Sequence, residues 1–337
     1  MKIAVVILNW NGKKFLAQFL PIVIKYSKDV ADIIIADNDS SDDSVEFLQS
    51  NFPDVRIIIN ETNGGFAKGN NDALKQVDAD YYILLNSDIE VTENWIMPVI
   101  QLMETDKTIA ACQPKIRSFA EKEKFEYAGA AGGYIDRFGY PFCRGRIFMS
   151  IEDDTGQYDN TTEIFWATGA CLFVRAELYH KFGGLDEDFF AHMEEIDFCW
   201  RLKNFGYKIM YCPDSVVFHI GGGTLPKSSS RKTYLNFRNN FTLLYKNLPK
   251  NRVVPVFATR LILDGVAAMK FLFEGGFRDF VAVTRAHFSF YRHFNSIRKK
   301  RKFIEQHEVS NIYQGNIVTD HWIRKKKKFT DLEKKIN

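Results

Sequence analysis

The sequence has few cysteines and no cysteine framework. Its 337 residues include five Cys, scattered without a CxxC pair or the paired spacing of a zinc site, at positions 112, 143, 171, 199 and 212. An odd, scattered set excludes a disulfide scaffold and is typical of reduced thiols. We therefore expect a reducing, cytoplasmic location.

Long apolar runs are also missing. No uncharged apolar stretch reaches the roughly 18 residues that a membrane span requires, so we predict none. The apolar run 3–8 is too short for a signal peptide, and Asn9-Trp10-Asn11-Gly12 follows it instead of a small-residue cleavage site. We expect this run to be a buried strand.

The sequence does contain abundant apolar residues and an uneven charge. Hydrophobic residues make up 46% and aromatic residues 15% of the chain, with 30 Phe, which excludes global disorder. Residues 1–230 carry 22 Lys/Arg against 34 Asp/Glu, a net charge of −12, whereas residues 231–337 carry 23 against 8, a net charge of +15. We therefore predict two parts, an acidic domain over 1–230 and a basic extension over 231–337.

The first hundred residues alternate between short apolar runs and helical patterns. The runs predict strands at 3–8, 33–36, 56–59 and 81–85, and the helical patterns cover 13–26, 42–51 and 68–77. This alternation predicts a parallel sheet with crossover helices, in which ligands bind beyond the carboxyl ends of the strands. Polar and small residues follow every run at that edge, in 9–12, 37–41, 60–65 and 86–88.

Regular structure is harder to assign further along the chain. Residues 118–162 are rich in Gly and Tyr and predict an irregular or hairpin insertion. Beyond it we predict strands at 164–166 and 170–175, a helix at about 193–205, and a last strand over 209–211 and 216–219.

Two polar clusters could bind a nucleotide. Asp37-Asn38-Asp39-Ser40-Ser41 has more polar residues than helix capping needs, and a carboxylate at a strand end can accept a base N–H or a ribose hydroxyl. Asn63-Gly64-Gly65-Phe66 opens a helix, where glycine allows close approach and the free N–H groups favour anions. Simple capping and an ordinary turn are the alternatives.

Two residues could hold a divalent cation. Asp88 follows a buried run and is either a turn residue or a carboxylate ligand of the kind that Mg²⁺ prefers. His219 ends a strand before Gly221-Gly222-Gly223 and is either structural or a second ligand.

Three carboxylates begin one predicted helix. Glu194, Glu195 and Asp197 would complement the helix dipole, and Asp197 could pair with Arg201 four residues later. However, flanking aromatic residues predict partial burial, and burial raises the pKa of a carboxyl toward the range of a general base.

Taken in order, these segments resemble the inverting glycosyltransferases of family two, which have the GT-A fold, and most of all their rhamnosyltransferase-like branch. The match covers about residues 1–245, and its order is more specific than any single motif. The segments that carry it are Val5-Val6-Ile7-Leu8-Asn9-Trp10-Asn11-Gly12, Asp37-Asn38-Asp39-Ser40, Asn63-Gly64-Gly65-Phe66-Ala67-Lys68-Gly69-Asn70-Asn71, Leu84-Leu85-Asn86-Ser87-Asp88, Thr168-Gly169-Ala170, Gly184-Leu185-Asp186-Glu187, Glu194-Glu195-Ile196-Asp197-Phe198-Cys199-Trp200-Arg201 and His219.

The resemblance implies an α/β, Rossmann-like, mostly parallel sheet flanked by helices. It divides residues 1–230 into a nucleotide-binding half at about 1–115 and an acceptor half at about 116–230. It also implies roles for single residues: nucleotide and donor contacts at Asn9, Asp37, Asn38, Gly65, Asn70, Asn86, Trp166 and Gly169, an Mg²⁺ or Mn²⁺ site at Asp88 and His219, and a base at Glu195 with Glu194 and Asp197 beside it.

Two positions depart from the family pattern. The metal motif begins with Asn86 where an Asp is usual, so it offers one carboxylate instead of two. The base position carries Glu where Asp is commoner, which leaves the choice among Glu194, Glu195 and Asp197 open.

The resemblance implies that a sugar moves from a UDP- or dTDP-linked donor to a hydroxyl of a glycan or lipid-linked acceptor, in surface polysaccharide synthesis. One alternative is a sugar-nucleotide nucleotidyltransferase, which the single Gly of Asn9-Trp10-Asn11-Gly12 disfavours. Another is a non-catalytic nucleotide-sugar-binding subunit, which would not need the acids of 194–197.

The basic extension favours a membrane surface. Residues 253–273 predict an amphipathic helix, and two basic clusters follow at 298–302 and 324–328. Such clusters attract anionic lipid, and a lipid-linked acceptor would explain them better than nucleic acid does. We therefore expect a peripheral protein on the inner face of the cell membrane, with packing of the helix on its own domain as the alternative.

Overall fold

The computed structural model describes residues 1–221 and 229–337, so Gly222 and Gly223 of the predicted glycine run lie outside the described residues. In chain order, the strands are β1 (Ile3–Asn9), β2 (Asp32–Asp37), β3 (Arg56–Ile59), β4 (Tyr81–Asn86), β5 (Ile89–Val91), β6 (Ile109–Ser118), β7 (Gly133–Asp136), β8 (Pro141–Cys143), β9 (Arg146–Ile147), β10 (Ser150–Ile151), β11 (Thr162–Ile164), β12 (Cys171–Arg175), β13 (Lys208–His219) and β14 (Ile312–Tyr313).

The helices cover both faces of the sheet and most of the C-terminal third. They are α1 (Lys13–Ser27), α2 (Ser44–Asn51), α3 (Gly65–Leu74), α4 (Met97–Thr105), α5 (Ala176–Lys181), α6 (Glu194–Asn204), α7 (Ser230–Asn247), α8 (Lys250–Phe273), α9 (Phe277–Arg292), α10 (Phe294–Arg301) and α11 (Ile317–Trp322). Short 3₁₀ turns cover Glu187–Phe189, Phe329–Asp331 and Glu333–Lys335.

The larger sheet is mostly parallel, as the alternating pattern predicts. Its strands follow the order β11-β13-β6-β12-β4-β1-β2-β3, and β5 pairs with β13. The neighbours of β1 and β2 are parallel, as is β13 beside β6, whereas β12 runs antiparallel between β4 and β6. This is the α/β, GT-A arrangement that the resemblance implies.

The packing follows from where the apolar residues lie. Almost every residue of β1 is buried, because helices cover both faces of the sheet. On α1 the buried residues Leu16, Phe19, Leu20 and Val23 recur three or four apart, which places them on one face. The four early strands and three helices are confirmed, but α4 and β6 between residues 97 and 118 were not predicted.

Residues 118–162 contribute a second sheet. Its order is β10-β9-β8-β7-β14, with antiparallel pairing from β10 to β7. The last member comes from the C-terminal extension, because Ile312 of β14 pairs with Ile135 of β7 in parallel. Leu243, Leu244 and Tyr313 of that extension also join the same buried cluster as Trp166 and Trp200. The acidic and basic parts of the chain therefore divide at about residue 230, but residues from both parts pack in one core.

Helix α8 is amphipathic, but the two charged residues in its middle face inward. Arg260 and Asp264, which are 2% and 0% exposed, lie on the buried stripe Val256, Arg260, Asp264 and Ala268 and form an ion pair at 3.0 Å. The outward side carries apolar residues, with Ile262, Val266 and Phe273 at 69%, 63% and 82% exposure. Nowhere in the described ranges 1–221 and 229–337 is a helix both long and apolar enough to span a bilayer.

Candidate active site

The predicted metal ligands meet at one edge of the larger sheet. Asp88 lies in the turn between β4 and β5, and β13 pairs with β5 so that its last residue, His219, lies opposite Ile89. His219 Nε2 is 3.1 Å from Asp88 Oδ1. Asn86, at the end of β4, contacts the same nitrogen through Nδ2 at 3.5 Å. Asp88 and His219 are 131 residues apart in the sequence, and the pairing of β13 with β5 brings them together.

A second acid, Glu126, belongs to this cluster and carried no signal in the sequence. Its Oε2 lies 3.3 Å from His219 Nδ1, on the opposite side of the ring from Asp88. Burial opposes the charged imidazolium, but the hydrogen bonds and charges of Asp88 and Glu126 outweigh it and raise the pKa of His219 to about 10. Burial likewise opposes the charge of Asp88, yet the bond to His219 lowers the pKa of that carboxyl.

A divalent cation would bind Asp88 and His219 by displacing the imidazole proton between them, since a metal-binding imidazole is neutral, and substrate phosphates would complete its coordination. Within residues 1–221 and 229–337, no group of three or more His, Cys, Asp or Glu is arranged to hold a metal ion. The two donor atoms are 3.1 Å apart, close to the spacing of about 3 Å between neighbouring ligands of an octahedral Mg²⁺ site. Glu126 touches the other ring nitrogen, so it would orient the imidazole and not bind the same cation.

The nucleotide-side residues form two hydrogen-bonded groups beyond β1 and β2. In the first, Asn9 Nδ2 donates to Asp37 Oδ2 at 2.9 Å, and the backbone N–H of Ser40 donates to Asp37 Oδ1 at 2.9 Å. Asn9 and Asp37 are fully buried, and Asn9 Oδ1 has no hydrogen-bond partner. Buried acceptors without a partner are rare in folded proteins.

The second group joins the ends of β2 and β3 to helix α3. Asn38 Nδ2 donates to Asn63 Oδ1 at 3.0 Å and to the Gly65 carbonyl at 3.2 Å, while Asn60 Nδ2 donates to Asn38 Oδ1 at 3.1 Å. Asn70 Nδ2 donates back to the Phe66 carbonyl at 2.9 Å. These amides hold the ends of β2 and β3 to the start of α3 through protein contacts of their own.

The N-terminus of α3 is not open to an anion, which corrects the expectation from its glycines. The Phe190 carbonyl accepts from the N–H of Phe66 at 2.8 Å and from that of Ala67 at 3.5 Å. Gly65 has φ of 79°, and a Cβ there would lie 2.4 Å from the same carbonyl oxygen. Glycine is needed at this position for close packing of the 188–193 segment.

Glu194 and Glu195 are crowded and incompletely paired. Each has a buried Oε2 atom without a hydrogen-bond partner. Burial and the neighbouring charge of Glu195 raise the pKa of Glu194 well above its ordinary value. Burial raises the pKa of Glu195 to about 7, against the lowering effect of backbone N–H groups. Burial therefore favours the protonated form of Glu194, and Glu195 can accept a proton near neutral pH.

Asp197 has a different environment from the other two acids. Its Oδ2 accepts from Arg201 Nε at 2.8 Å and from Lys246 Nζ at 2.8 Å, and its Oδ1 accepts from Asn247 Nδ2 at 2.9 Å. The predicted pair with Arg201 exists, but it is buried and not on the surface. With both oxygens engaged, Asp197 is suited to hold α6 against α7 and not to take a proton from a substrate.

Trp166 and Gly169, the two residues of the β11–β12 loop expected near the donor sugar, have different surroundings. Trp166 is 4% exposed, its indole packs on Gly133, and its Nε1 donates to the Tyr134 carbonyl at 2.9 Å. The expectation of a ligand contact is corrected there, because the side chain fills the core beside the second sheet. Gly169, in contrast, lies against the Phe66 ring, and a Cβ there would be 3.8 Å from Glu195 Cβ.

This loop also connects the acid pair to the metal-site edge. The N–H of Asn86 donates to the Ala170 carbonyl at 2.9 Å, next to Gly169 and hence to Glu195. Gly169 and Ala170 therefore bring Glu195 toward the end of β4, where Asn86 contacts His219.

Comparison with known proteins agrees with this fold. The crystal structure of GalNAc-T7 with UDP, GalNAc and Mn²⁺ superimposes with a TM-score of 0.58 at 18% identity, over 74% of this chain and 48% of that chain. A mannosyltransferase from Pyrobaculum calidifontis, in complex with GDP-Man and Mn²⁺, gives 0.52 at 12% identity, over 90% of this chain and 84% of that one. The fold is that of the GT-A glycosyltransferases.

Sequence comparison gives the family. The family model "Glycosyl transferase family 2" matches residues 4–181, more than half of the chain. The low-salt glycan biosynthesis hexosyltransferase Agl10 of Haloferax volcanii is 23% identical over 73% of this chain and 78% of its own length. An N-acetylglucosaminyl-diphospho-decaprenol L-rhamnosyltransferase of Mycobacterium tuberculosis is 24% identical over 64% and 75%. The chain belongs to glycosyl transferase family 2 and is a glycosyltransferase with rhamnosyltransferase-like relatives.

Replacing Asp197 is expected to reduce stability more than chemistry. Asp197→Asn leaves the buried Lys246 and Arg201 with a weakened partner, and breaking such a pair costs about 3–5 kcal/mol of unfolding free energy. Denaturant unfolding measures this cost. Glu195→Gln is the matched control, because a carboxyl whose charge is already disfavoured by burial loses little on neutralisation. Equal stability of the two variants would contradict the structural role of Asp197.

Proposed function

We propose that the protein is an inverting glycosyltransferase that uses a nucleoside-diphosphate sugar and a divalent cation, with Glu195 as its base. The observation that carries this proposal is an incompletely paired carboxyl, with its pKa raised to about 7, beside the Gly169–Ala170 segment that bonds to Asn86, a neighbour of His219. The rest of the site supports it, because Asn9 and Asp37 lie beyond the neighbouring strand ends.

Each residue then has a defined part in a single displacement. Glu195 removes the proton from an acceptor hydroxyl as its oxygen bonds to the anomeric carbon, and the bond to the diphosphate oxygen breaks on the opposite face. One step of this kind inverts the anomeric configuration. Asp88 and His219 would hold Mg²⁺ or Mn²⁺, which stabilises the charge of the departing diphosphate. Neutral Glu194 keeps a second negative charge away from Glu195.

The donor and acceptor classes are proposed from the relatives. Solved GT-A neighbours bind UDP-linked donors, and the rhamnosyltransferase of Mycobacterium tuberculosis is named for a lipid-diphosphate acceptor. We propose a UDP- or dTDP-linked hexose or deoxyhexose as donor, and a glycan or lipid-linked hydroxyl in surface polysaccharide synthesis as acceptor.

Glu195→Gln is expected to lower kcat by about 10²–10⁴-fold while donor affinity changes little, because the amide keeps the shape but cannot accept the proton. Release of nucleoside diphosphate from a panel of sugar nucleotides, with lipid-linked acceptors present, measures kcat. In the wild type, kcat should rise with pH through about 7 as Glu195 loses its proton.

The same panel tests the class of enzyme. A nucleotidyltransferase would need a nucleoside triphosphate, and a binding subunit would release no nucleotide. Full turnover by Glu195→Gln would reject Glu195 as the base and leave the family membership unaffected.

Asp88→Asn is expected to remove the gain in nucleotide affinity that Mg²⁺ or Mn²⁺ provides, because an amide oxygen is a weaker ligand than a carboxylate. Calorimetric titration of UDP and dTDP with and without cation measures the gain. Glu93→Ala, an exposed acid shortly after β5, is the control and should behave as the wild type. A wild-type affinity that is the same with and without cation would reject the metal site.

We also propose that the enzyme works at an anionic membrane surface through the outward side of α8. We call this side the α8 face and define it as Leu261, Ile262, Val266, Met269 and Phe273, which surround a shallow apolar groove. Lys270 Nζ lies 5.2 Å from the centre of the exposed Trp322 ring, so the end of α11 adjoins this face. Apolar side chains beside aromatic and basic residues are typical of interfacial anchoring.

The two basic clusters contribute unequally to this surface. Lys300 binds Asp188 at 2.6 Å, and Arg301 is buried and donates to the Leu248 carbonyl at 2.7 Å, so both have internal roles. The exposed cations of the two clusters are Arg298, Lys299, Lys302, Arg324, Lys325, Lys327 and Lys328, of which Arg324 pairs with Asp320 at 2.9 Å. Each cation near anionic lipid contributes about 1 kcal/mol.

Membrane binding is expected to depend on the α8 face. Combined Ile262→Ser, Val266→Ser and Phe273→Ser should reduce flotation with phosphatidylglycerol vesicles by more than about tenfold, since each lost buried CH₂ costs about 0.8 kcal/mol. Val30→Ser, at an exposed apolar residue before β2, is the control. A wild-type protein that ignores these vesicles but retains RNA would reverse the choice of partner.

A further inference from the structure

The segment that leads into Glu194 and Glu195 has an uncommon backbone. We call residues 188–193 the 188–193 loop. Three of its non-glycine residues have left-handed φ values: 64° at Phe190, 70° at His192 and 75° at Met193. Such residues cost about 1 kcal/mol or more each and persist only where the surroundings hold them.

Helix α7 holds this loop through one buried amide. Asn239 Nδ2 donates to the carbonyls of Phe189, Ala191 and His192 at 3.0, 2.9 and 2.7 Å. Asn239 is 1% exposed, so no water replaces these bonds if they are lost. The two N–H bonds of this amide thereby contact three carbonyls within four consecutive residues, so that one N–H is shared between two of them.

Arg238 fixes the amide in turn. Its Nε donates to Asn239 Oδ1 at 2.8 Å, which leaves Nδ2 turned toward the loop. Its Nη2 donates to the carbonyls of Asp188 and Phe189 at 2.8 and 2.9 Å. The two adjacent side chains therefore bind the backbone of the loop and do not bind its side chains.

The loop lies between the nucleotide side and the acid pair. Its Phe190 carbonyl accepts from the N–H of Phe66, at the start of α3. At its other end, the Met193 carbonyl accepts from the N–H of Asp197 at 2.9 Å and begins α6. The conformation of the loop thus sets the position of Glu195 relative to α3 and Gly169.

We propose that Asn239 is a positioning residue for the transfer reaction, which holds the 188–193 loop in its left-handed conformation so that Glu195 meets the acceptor hydroxyl. Asn239 lies in the basic extension, residues 231–337. It contacts carbonyls of the loop, so it would act on the reaction through the loop and not by touching the substrate. This inference rests on Glu195 being the base, as proposed above.

Two variants remove the donor. Asn239→Ala deletes the amide, and Asn239→Asp keeps its shape and its bond from Arg238 but has no N–H group. Both should lower kcat by about 10²-fold, because a misplacement of about 1 Å costs that much, while donor affinity measured by titration changes far less. The KM for donor should follow the affinity and not kcat.

The pH dependence of kcat is the measurement that separates the two roles, because replacing a residue that only stabilises the fold would leave it unchanged. Glu194 and the Cys199 thiol are ionisable groups that interact with Glu195, and burial dominates its environment. A released loop admits water to Glu195, so the acid limb of the kcat profile should move to lower pH in both variants.

Asn240→Ala is the matched control on the same helix. Asn240 is equally buried, but its Nδ2 donates to the Gly139 carbonyl at 2.6 Å, away from the loop. It should lose thermal stability to a similar extent and keep the wild-type pH profile per folded molecule. Should Asn239→Ala not fold, Arg238→Ala removes two of the loop bonds from a half-buried site and is expected to show a smaller fall in kcat with the same shift.

The outcomes separate this inference from the function on which it rests. If Asn239→Asp is destabilised but keeps wild-type kcat and acid limb while Glu195→Gln is inactive, Asn239 is only structural and the inference is overturned. If Glu195→Gln keeps full turnover, the proposed base is wrong, and the Asn239 proposal is overturned with it.

Discussion

The buried carboxylate of Asp197 is the contact on which the organisation of the site depends. It accepts from Arg201 on its own helix and from Lys246 and Asn247 on α7, so a residue of the family motif is neutralised by the C-terminal third of the chain. Lys246 also pairs with Asp186, at the entrance to the 188–193 loop. An unpaired buried carboxylate would strongly destabilise the folded protein. The position of α6 therefore depends on α7, which supplies two of the partners of Asp197.

With α6 held in this way, neighbouring acids acquire different properties from their surroundings. Asp197 is paired and structural, Glu194 is buried where its protonated form is favoured, and Glu195 is poised to exchange a proton near pH 7. A similar division exists at the sheet edge, where Glu126 and Asp88 take opposite nitrogens of His219. Burial and partners, and not residue type, decide which acid can do chemistry.

The inverted orientation of α8 follows from what it packs against. Arg260 donates to the Phe138 carbonyl at 3.0 Å, and Tyr140 donates to Asp264 at 3.1 Å, so the second sheet supplies partners for the charged stripe. Because those charges are satisfied inside, the apolar stripe is left facing outward. In an ordinary surface helix the apolar side faces the core and the polar side faces water. In α8 the charged stripe faces the core and the apolar stripe faces outward.

The amino-acid sequence by itself determined the parallel sheet, its first three helices and the family, and it singled out the acids at 88 and 194–197 that the proposal uses. Periodicity and the polar residues at strand ends can be recognised from consecutive residues. It could not show that Trp166 fills a core, that Phe190 occupies the start of α3, or that Glu126 touches His219, since these contacts join residues far apart in the chain. Tertiary structure alone decided which of three adjacent acids is free and which side of α8 faces outward. The first depends on Lys246 and Asn247 of α7, which are 49 and 50 residues from Asp197 along the chain. The second depends on Phe138 and Tyr140, which are 122 and 124 residues from Arg260 and Asp264, and pairing at such separations leaves no periodic pattern in the sequence.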